Sequence, residues 1–194
     1  MLHQKAALLI LLAVSLLAGC ATPYGRARTA LAEGRYEEAA SRFEEVLARH
    51  PDRLDALVGL GKARYKLGAF DEAIAALTPA AAEAPKSETA HLYLGLSNLQ
   101  KGETGPAEEH LKALLGLAPH PRLAAQTNRA LELMRSDHLS REMRAFIAAS
   151  LEDEADWARE LRRAAEYVYP PPLFYWYRPF GPCFTTRSRL LVCY

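Results

Sequence analysis

The chain has 194 residues, half of them hydrophobic and 24% charged, which suits one ordinary core or a short repeat array and excludes wholesale disorder. Its formal net charge of +1 gives no electrostatic reason to expect nucleic-acid binding.

Met1 to Lys5 is a short, mildly basic start, and Ala6 to Leu17 is apolar apart from Ser15. That run has the length of a signal-peptide core and falls short of the roughly 20 residues needed to span a bilayer. It closes on Leu17-Ala18-Gly19-Cys20. The four residues resemble the lipobox of bacterial lipoproteins. The resemblance implies cleavage after residue 19, a lipid on the Cys20 thiol, and membrane anchoring by two or more acyl chains. Ala21 stands where an aspartate commonly retains such proteins in the inner membrane, so the resemblance implies the outer membrane, facing the periplasm. The plainer alternative is an ordinary secretory signal followed by a chance cysteine. Removing residues 1–19 takes away Lys5 and no acidic residue, which leaves 23 basic against 23 acidic side chains.

A period of 34 residues organises the next segment. It is carried by Gly34, Gly68 and Gly102, by Ala39, Ala73 and Ala107, and by Pro51, Pro85 and Pro119. Ala27, Gly61 and Gly95 form a fourth series, and Tyr36 and Phe70 fall in phase. The second unit reads Ala56-Leu57-Val58-Gly59-Leu60-Gly61, then Tyr65-Lys66-Leu67-Gly68-Ala69-Phe70-Asp71-Glu72-Ala73. This resembles the tetratricopeptide repeat, and the likeness covers residues 21 to 121. It implies an all-α solenoid of three helix hairpins, each too small to bury its apolar face alone. Small residues at 27, 61 and 95 are expected to face Ala39, Ala73 and Ala107, where a side chain larger than methyl would part the helices. Gly34, Gly68 and Gly102 are expected to end the first helices in a left-handed conformation, and the prolines to end the second. Thr104 is expected to cap the last repeat helix with Pro106 in its first turn. Pro79 is expected to kink the helix it interrupts, and the first helix, so close to the lipid, to fray.

Repeats of this family usually bind extended peptides on a concave surface lined by the first helices. By register that surface holds Tyr24, Arg28 and Leu31, then Val58, Lys62 and Tyr65, then Leu92, Leu96 and Leu99. The peptide-binding candidates are Arg28, Val58, Lys62, Tyr65, Leu92, Leu96 and Leu99. The competing expectation is that Leu92, Leu96 and Leu99 pack against the chain's own C-terminal helices, and that Arg28 and Lys62 are ordinary solvated charges. Members that clamp a chaperone's C-terminal carboxylate need lysine and asparagine where this chain has Val58 and Leu92, so that mode is not expected.

Residues 122–168 read as further helices that cap the solenoid. Leu123, Thr127, Ala130, Leu131 and Met134 share one face of the first. From Leu139 to Val168 the apolar stripe is Met143, Phe146, Ile147, Leu151, Trp157, Leu161 and Val168. Ser150 and Asp153 resemble a capping box that would break this segment into two helices near residue 152. The final segment, 169–194, opens on Pro170-Pro171-Pro172, which stops a helix, and is rich in rings and arginine. Three readings stand for it: a hairpin-like appendage on the helices, an intramolecular occupant of the repeat groove, or a docking surface for a partner or envelope polymer. Cys183 and Cys193 are a possible disulfide outside the cytoplasm, closing a short loop.

No catalytic chemistry is expected. His50, His91, His110, His120 and His138 have no metal-ligand spacing to one another or to cysteine, and there is no phosphate loop or nucleophile elbow. Neither cofactor nor metal is expected. The sequence therefore reads as a lipid-anchored scaffold for protein partners of the cell envelope. The alternative is a structural envelope protein whose aromatic, basic tail contacts peptidoglycan or lipid. The oligomeric state is left open.

Overall fold

A computed structural model describes residues 22–117, 120–136, 139–168, 183–185 and 191–193. Residues 1–21 with Cys20, then Pro119, His138 and most of 169–194, lie outside the described residues.

Six helices form three consecutive hairpins: α1 (Pro23–Ala32) with α2 (Tyr36–Leu47), α3 (Leu54–Lys66) with α4 (Phe70–Glu83), and α5 (Glu88–Lys101) with α6 (Thr104–Gly116). Each second helix packs on the next unit's first helix, and α1, α3 and α5 form an inner row. This is the all-α tetratricopeptide-repeat solenoid. The 34-residue period follows from the turns. Gly34, Gly68 and Gly102 have φ of 77°, 75° and 86°, a left-handed conformation that glycine reaches without strain. The expected fraying of α1 is not what the structure shows. Thr22 caps it, accepting from the Gly25 N–H at 3.0 Å, and Pro23 supplies a preset first turn.

Several expectations of detail are corrected. At Gly61 the facing side chain is Leu77 rather than Ala73. A Cβ there would lie 2.3 Å from the Leu77 Cγ, so even a methyl is too large. Gly95 likewise meets Leu111, at 2.9 Å, ahead of the Ala107 carbonyl. Gly59, on the neighbouring face of α3, takes the Phe43 ring of the preceding unit, which would stand 2.3 Å from a Cβ. One glycine therefore closes the hairpin and the other closes the joint between units. Pro51 and Pro85 follow the helix ends, at Leu47 and Glu83, rather than making them. Thr104 is already helical and makes no capping bond; Glu103 precedes it, and Pro106 sits in the first turn. α4 continues past Pro79 to Glu83.

Two more helices complete the described array. α7 (Pro121–Met134) buries Leu123, Thr127, Ala130, Leu131 and Met134, the face expected from the sequence. α8 (Arg141–Val168) is one helix of 28 residues, not two. Its true start is Ser140, whose Oγ accepts from the Met143 N–H at 3.2 Å. Ser150 caps nothing. It bonds back to the Ile147 carbonyl at 2.9 Å and accepts from Gln126 of α7 at 3.0 Å, so it serves the helix interior. The buried side of α8 is Ile147, Ala148, Leu151, Ala155 and Ala158, while Met143, Phe146, Trp157 and Leu161 are exposed. The alanines decide the orientation, because they let α8 approach its neighbours closely.

Two clusters of buried side chains run through the molecule. One joins α1, α2 and the Ala56–Ala63 side of α3, and the other runs from Tyr65 through α4, α5, α6 and α7 to Ala155 of α8. The two short strands β1 (Cys183–Thr185) and β2 (Leu191–Cys193) pair antiparallel, with Cys183 directly opposite Cys193.

Candidate functional site

The inner row is where a solenoid of this kind presents a surface, and in this chain α8 occupies part of it. α8 runs antiparallel to α5. Arg144 lies beside Gly102 at one end, Tyr93 donates to the Glu152 carboxylate at 2.6 Å in the middle, and Arg162 pairs with Glu88 at 3.2 Å at the other end. From α3, Lys66 reaches Glu152 at 2.8 Å and Lys62 reaches Asp156 at 3.6 Å. Lys62 also stands 5.3 Å over the Tyr93 ring, and Tyr93 meets Tyr65 edge-on at 5.2 Å. The Glu152 carboxylate is thus shared by a phenol and an ammonium, which is what allows it to be buried.

The electrostatics follow from this packing. Burial pushes the Tyr65 phenol up to about 12, with the Glu152 charge adding to it. Burial and the same carboxylate raise Tyr93 as well. Burial, then the Arg159 charge, lowers Lys62. Burial works against the Asp156 carboxylate, but Arg159 and Lys62 beside it outweigh that and hold it below its ordinary value.

Of the seven candidate peptide-binding residues, the structure removes four from any open surface. Leu92, Leu96 and Leu99 are 1%, 0% and 0% exposed and share a core with Ile147, Leu151 and Ala155. Tyr65 is buried against Tyr93 and Phe70. α8 packs on α5 over the three leucines, whereas Tyr65 is enclosed by rings of the repeats themselves, so the apolar end of the expected groove is interior. Val58 is half-buried and packs on this core. Arg28 and Lys62 remain, and they line an open groove of about 610 Å³. Its walls are α1 on one side and the second half of α8 on the other, with Lys62 and Lys66 of α3 between them. Asp156, Arg159, Glu160 and Arg163 are its α8 residues. None of these four stood out in the sequence, because an amphipathic helix announces its buried side and not the groove its polar side will border.

One pair was likewise illegible in the sequence. His91 and His110, 19 residues apart, stand with their Nδ1 atoms 3.3 Å apart, and the Nε2 of His91 lies 3.1 Å from the Pro85 carbonyl. The hairpin that sets Leu111 on Gly95 brings them together. Burial lowers His110, and His91 beside it lowers it further. Among the described residues, no three histidine, cysteine or acidic side chains gather where a metal ion could be held.

Comparison with known proteins agrees with this architecture. Residues 30–90 match the family model of the tetratricopeptide repeat. The type III secretion translocator chaperone SycD of Yersinia enterocolitica is similar in structure, with a TM-score of 0.56, 23% identity, 63% of this chain and 90% of that chain covered. A second structure of SycD, an alternative dimer, gives 0.54 and 26%, covering 58% and 89%. A thermophilic tetratricopeptide-repeat protein of Thermus thermophilus gives 0.53 and 24%, covering 87% and 93%. No curated protein matches the chain. The fold is therefore the tetratricopeptide-repeat solenoid, and residues 30–90 carry the repeat itself.

Proposed function

We propose that this protein is a non-catalytic scaffold, lipid-anchored through Cys20 in the bacterial cell envelope, that holds a protein partner in the groove between α1 and α8. The observation that carries the reading is that groove: it is the part of the inner surface that α8 leaves open, and charged side chains from three helices converge on it. The anchor rests on the sequence pattern that ends in Ala18-Gly19-Cys20. Since α1 begins at Pro23, only Ala21 and Thr22 would separate the lipid from the first repeat. The array would then stand at the membrane surface with its open groove nearest the bilayer. The outer membrane is the proposed location, given Ala21.

Two experiments test this. A photocrosslinker at Arg28 should trap a discrete protein in cells, and the same probe at Arg129 on α7 should not. Labelled palmitate should enter the protein and be absent from Cys20→Ser; incorporation into that variant would remove the anchor. Retention of the purified protein by isolated cell wall, lost on deleting residues 170–194, would instead favour the aromatic tail as the working surface.

A further inference from the structure

The occupied and the open parts of the inner surface differ in one respect. Where α8 covers it, each lysine of α3 has received a carboxylate: Glu152 for Lys66 and Asp156 for Lys62. The open groove continues the same surface toward α1. Five cationic side chains line it, Arg28, Lys62, Lys66, Arg159 and Arg163, against Asp156 and Glu160 in the lining and the Glu152 that holds Lys66. Arg159 is paired with Asp156, which Lys62 already shares. Arg28 and Arg163, both exposed, form no ion pair with either carboxylate that lines the groove.

The shape restricts the occupant. The lining residues run from Gly25 to Ala32 on α1 and from Asp156 to Arg163 on α8. Seven helical steps make each wall about 10 Å long, which takes roughly three residues of extended chain. Successive side chains of an extended chain point to opposite sides. Neighbouring acidic residues would therefore reach Arg28 on one wall and Arg163 on the other. Leu31 and Tyr36, both half-buried in the lining, offer apolar surface to the residue beside them.

We infer that the groove takes an extended, acidic peptide segment of the partner, whose adjacent carboxylates pair with Arg28 and Arg163 as Glu152 and Asp156 of α8 pair with Lys66 and Lys62. The inference rests on the scaffold reading above and specifies its ligand.

The test uses the soluble mature chain and two fluorescent peptides, one Glu-rich and one with every Glu replaced by Gln, read by anisotropy. The Glu peptide should bind and weaken with added salt, and the Gln peptide should not bind. The double variant Arg28→Glu/Arg163→Glu should lose about tenfold or more in affinity, with its circular dichroism unchanged, and Arg129→Glu should bind as the parent does. Equal binding of the two peptides, or full binding by the double variant, would overturn the inference. So would binding to phosphatidylglycerol vesicles through Arg28 and Arg163 with none to peptide, which would make the groove a lipid site. A protein crosslinked from position 28 that shows no preference for acidic sequence would remove the acidic ligand and leave the scaffold standing.

Discussion

Replacing Gly61 by alanine sets two effects of known size against each other. In the middle of an exposed helix the change would stabilise by about 1 kcal/mol, since alanine is the better helix former. At this position the new Cβ would sit 2.3 Å from the Leu77 Cγ and 2.7 and 2.9 Å from its two methyls. Leu77 is fully buried, so the contact has to be relieved by an off-rotamer side chain or by parting α3 from α4. Overpacking of this kind costs about 1–3 kcal/mol. With three atoms of a buried side chain inside 3 Å the clash outweighs the propensity, and Gly61→Ala is expected to destabilise by up to about 2 kcal/mol. In a Leu77→Ala background the obstacle is gone, and the same substitution should become neutral or stabilising. Leu77→Ala alone should cost about 2–5 kcal/mol. Urea unfolding of the parent, both single variants and the double variant gives the full cycle. A Gly61→Ala protein more stable than the parent, or an equal effect in both backgrounds, would refute the close approach of α3 and α4 at this glycine.

The remaining expectations concern α8 and the two polar pairs. Tyr93→Phe deletes a buried hydrogen bond to a carboxylate and should cost about 2 kcal/mol in urea unfolding; a loss below about 0.5 kcal/mol would mean that α8 does not depend on it. The folded state holds His110 below its ordinary value, so it favours the neutral ring and its contribution is complete above the unfolded pKa of about 6.5. That contribution should fade as the pH falls through and below this value, and His110→Gln should flatten the acid limb of the stability profile. A profile identical in parent and variant would count against the pair. Residues directly opposite in an antiparallel ladder have Cα separations within the range a disulfide spans, so Cys183 and Cys193 should be oxidised in protein from an oxidising compartment. Alkylation of the unreduced, denatured chain should then label neither; two labelled thiols would exclude the bridge.

Much of the solenoid was written locally. Gly34, Gly68 and Gly102 are needed because a chain leaving a helix at that angle must take positive φ, and such a need shows directly in residue type. The buried face of α7 was legible for a similar reason: five positions at helical spacing mark one side, and one side is what packs. The misreadings came where two surfaces had to be matched. Ser150 and Asp153 resemble a helix start, yet Ser150 is equally content bonding back to Ile147, and the packing of α7 on α8 selects the continuous helix. Likewise Met143, Phe146, Trp157 and Leu161 are more hydrophobic than Ala148, Ala155 and Ala158. The alanines are nonetheless the buried ones, because closeness to α5 and α7 matters more there than the size of each side chain.

The repeat could be read from residue order alone, since a period of 34 is imposed by turns and small contact residues that each act within one hairpin or at one joint. That the first helix of each unit faces inward came with the family resemblance, and the row formed by α1, α3 and α5 agrees with it. It took the packed fold to show that α8 lies back along α5, that Leu92, Leu96 and Leu99 are therefore core, and that the open groove moves to the cations between α1 and α8. An amphipathic pattern states that a face will be covered and carries no record of which partner covers it. That choice is made by the fit of α8 to α5 and by Glu152 finding Tyr93 and Lys66 together.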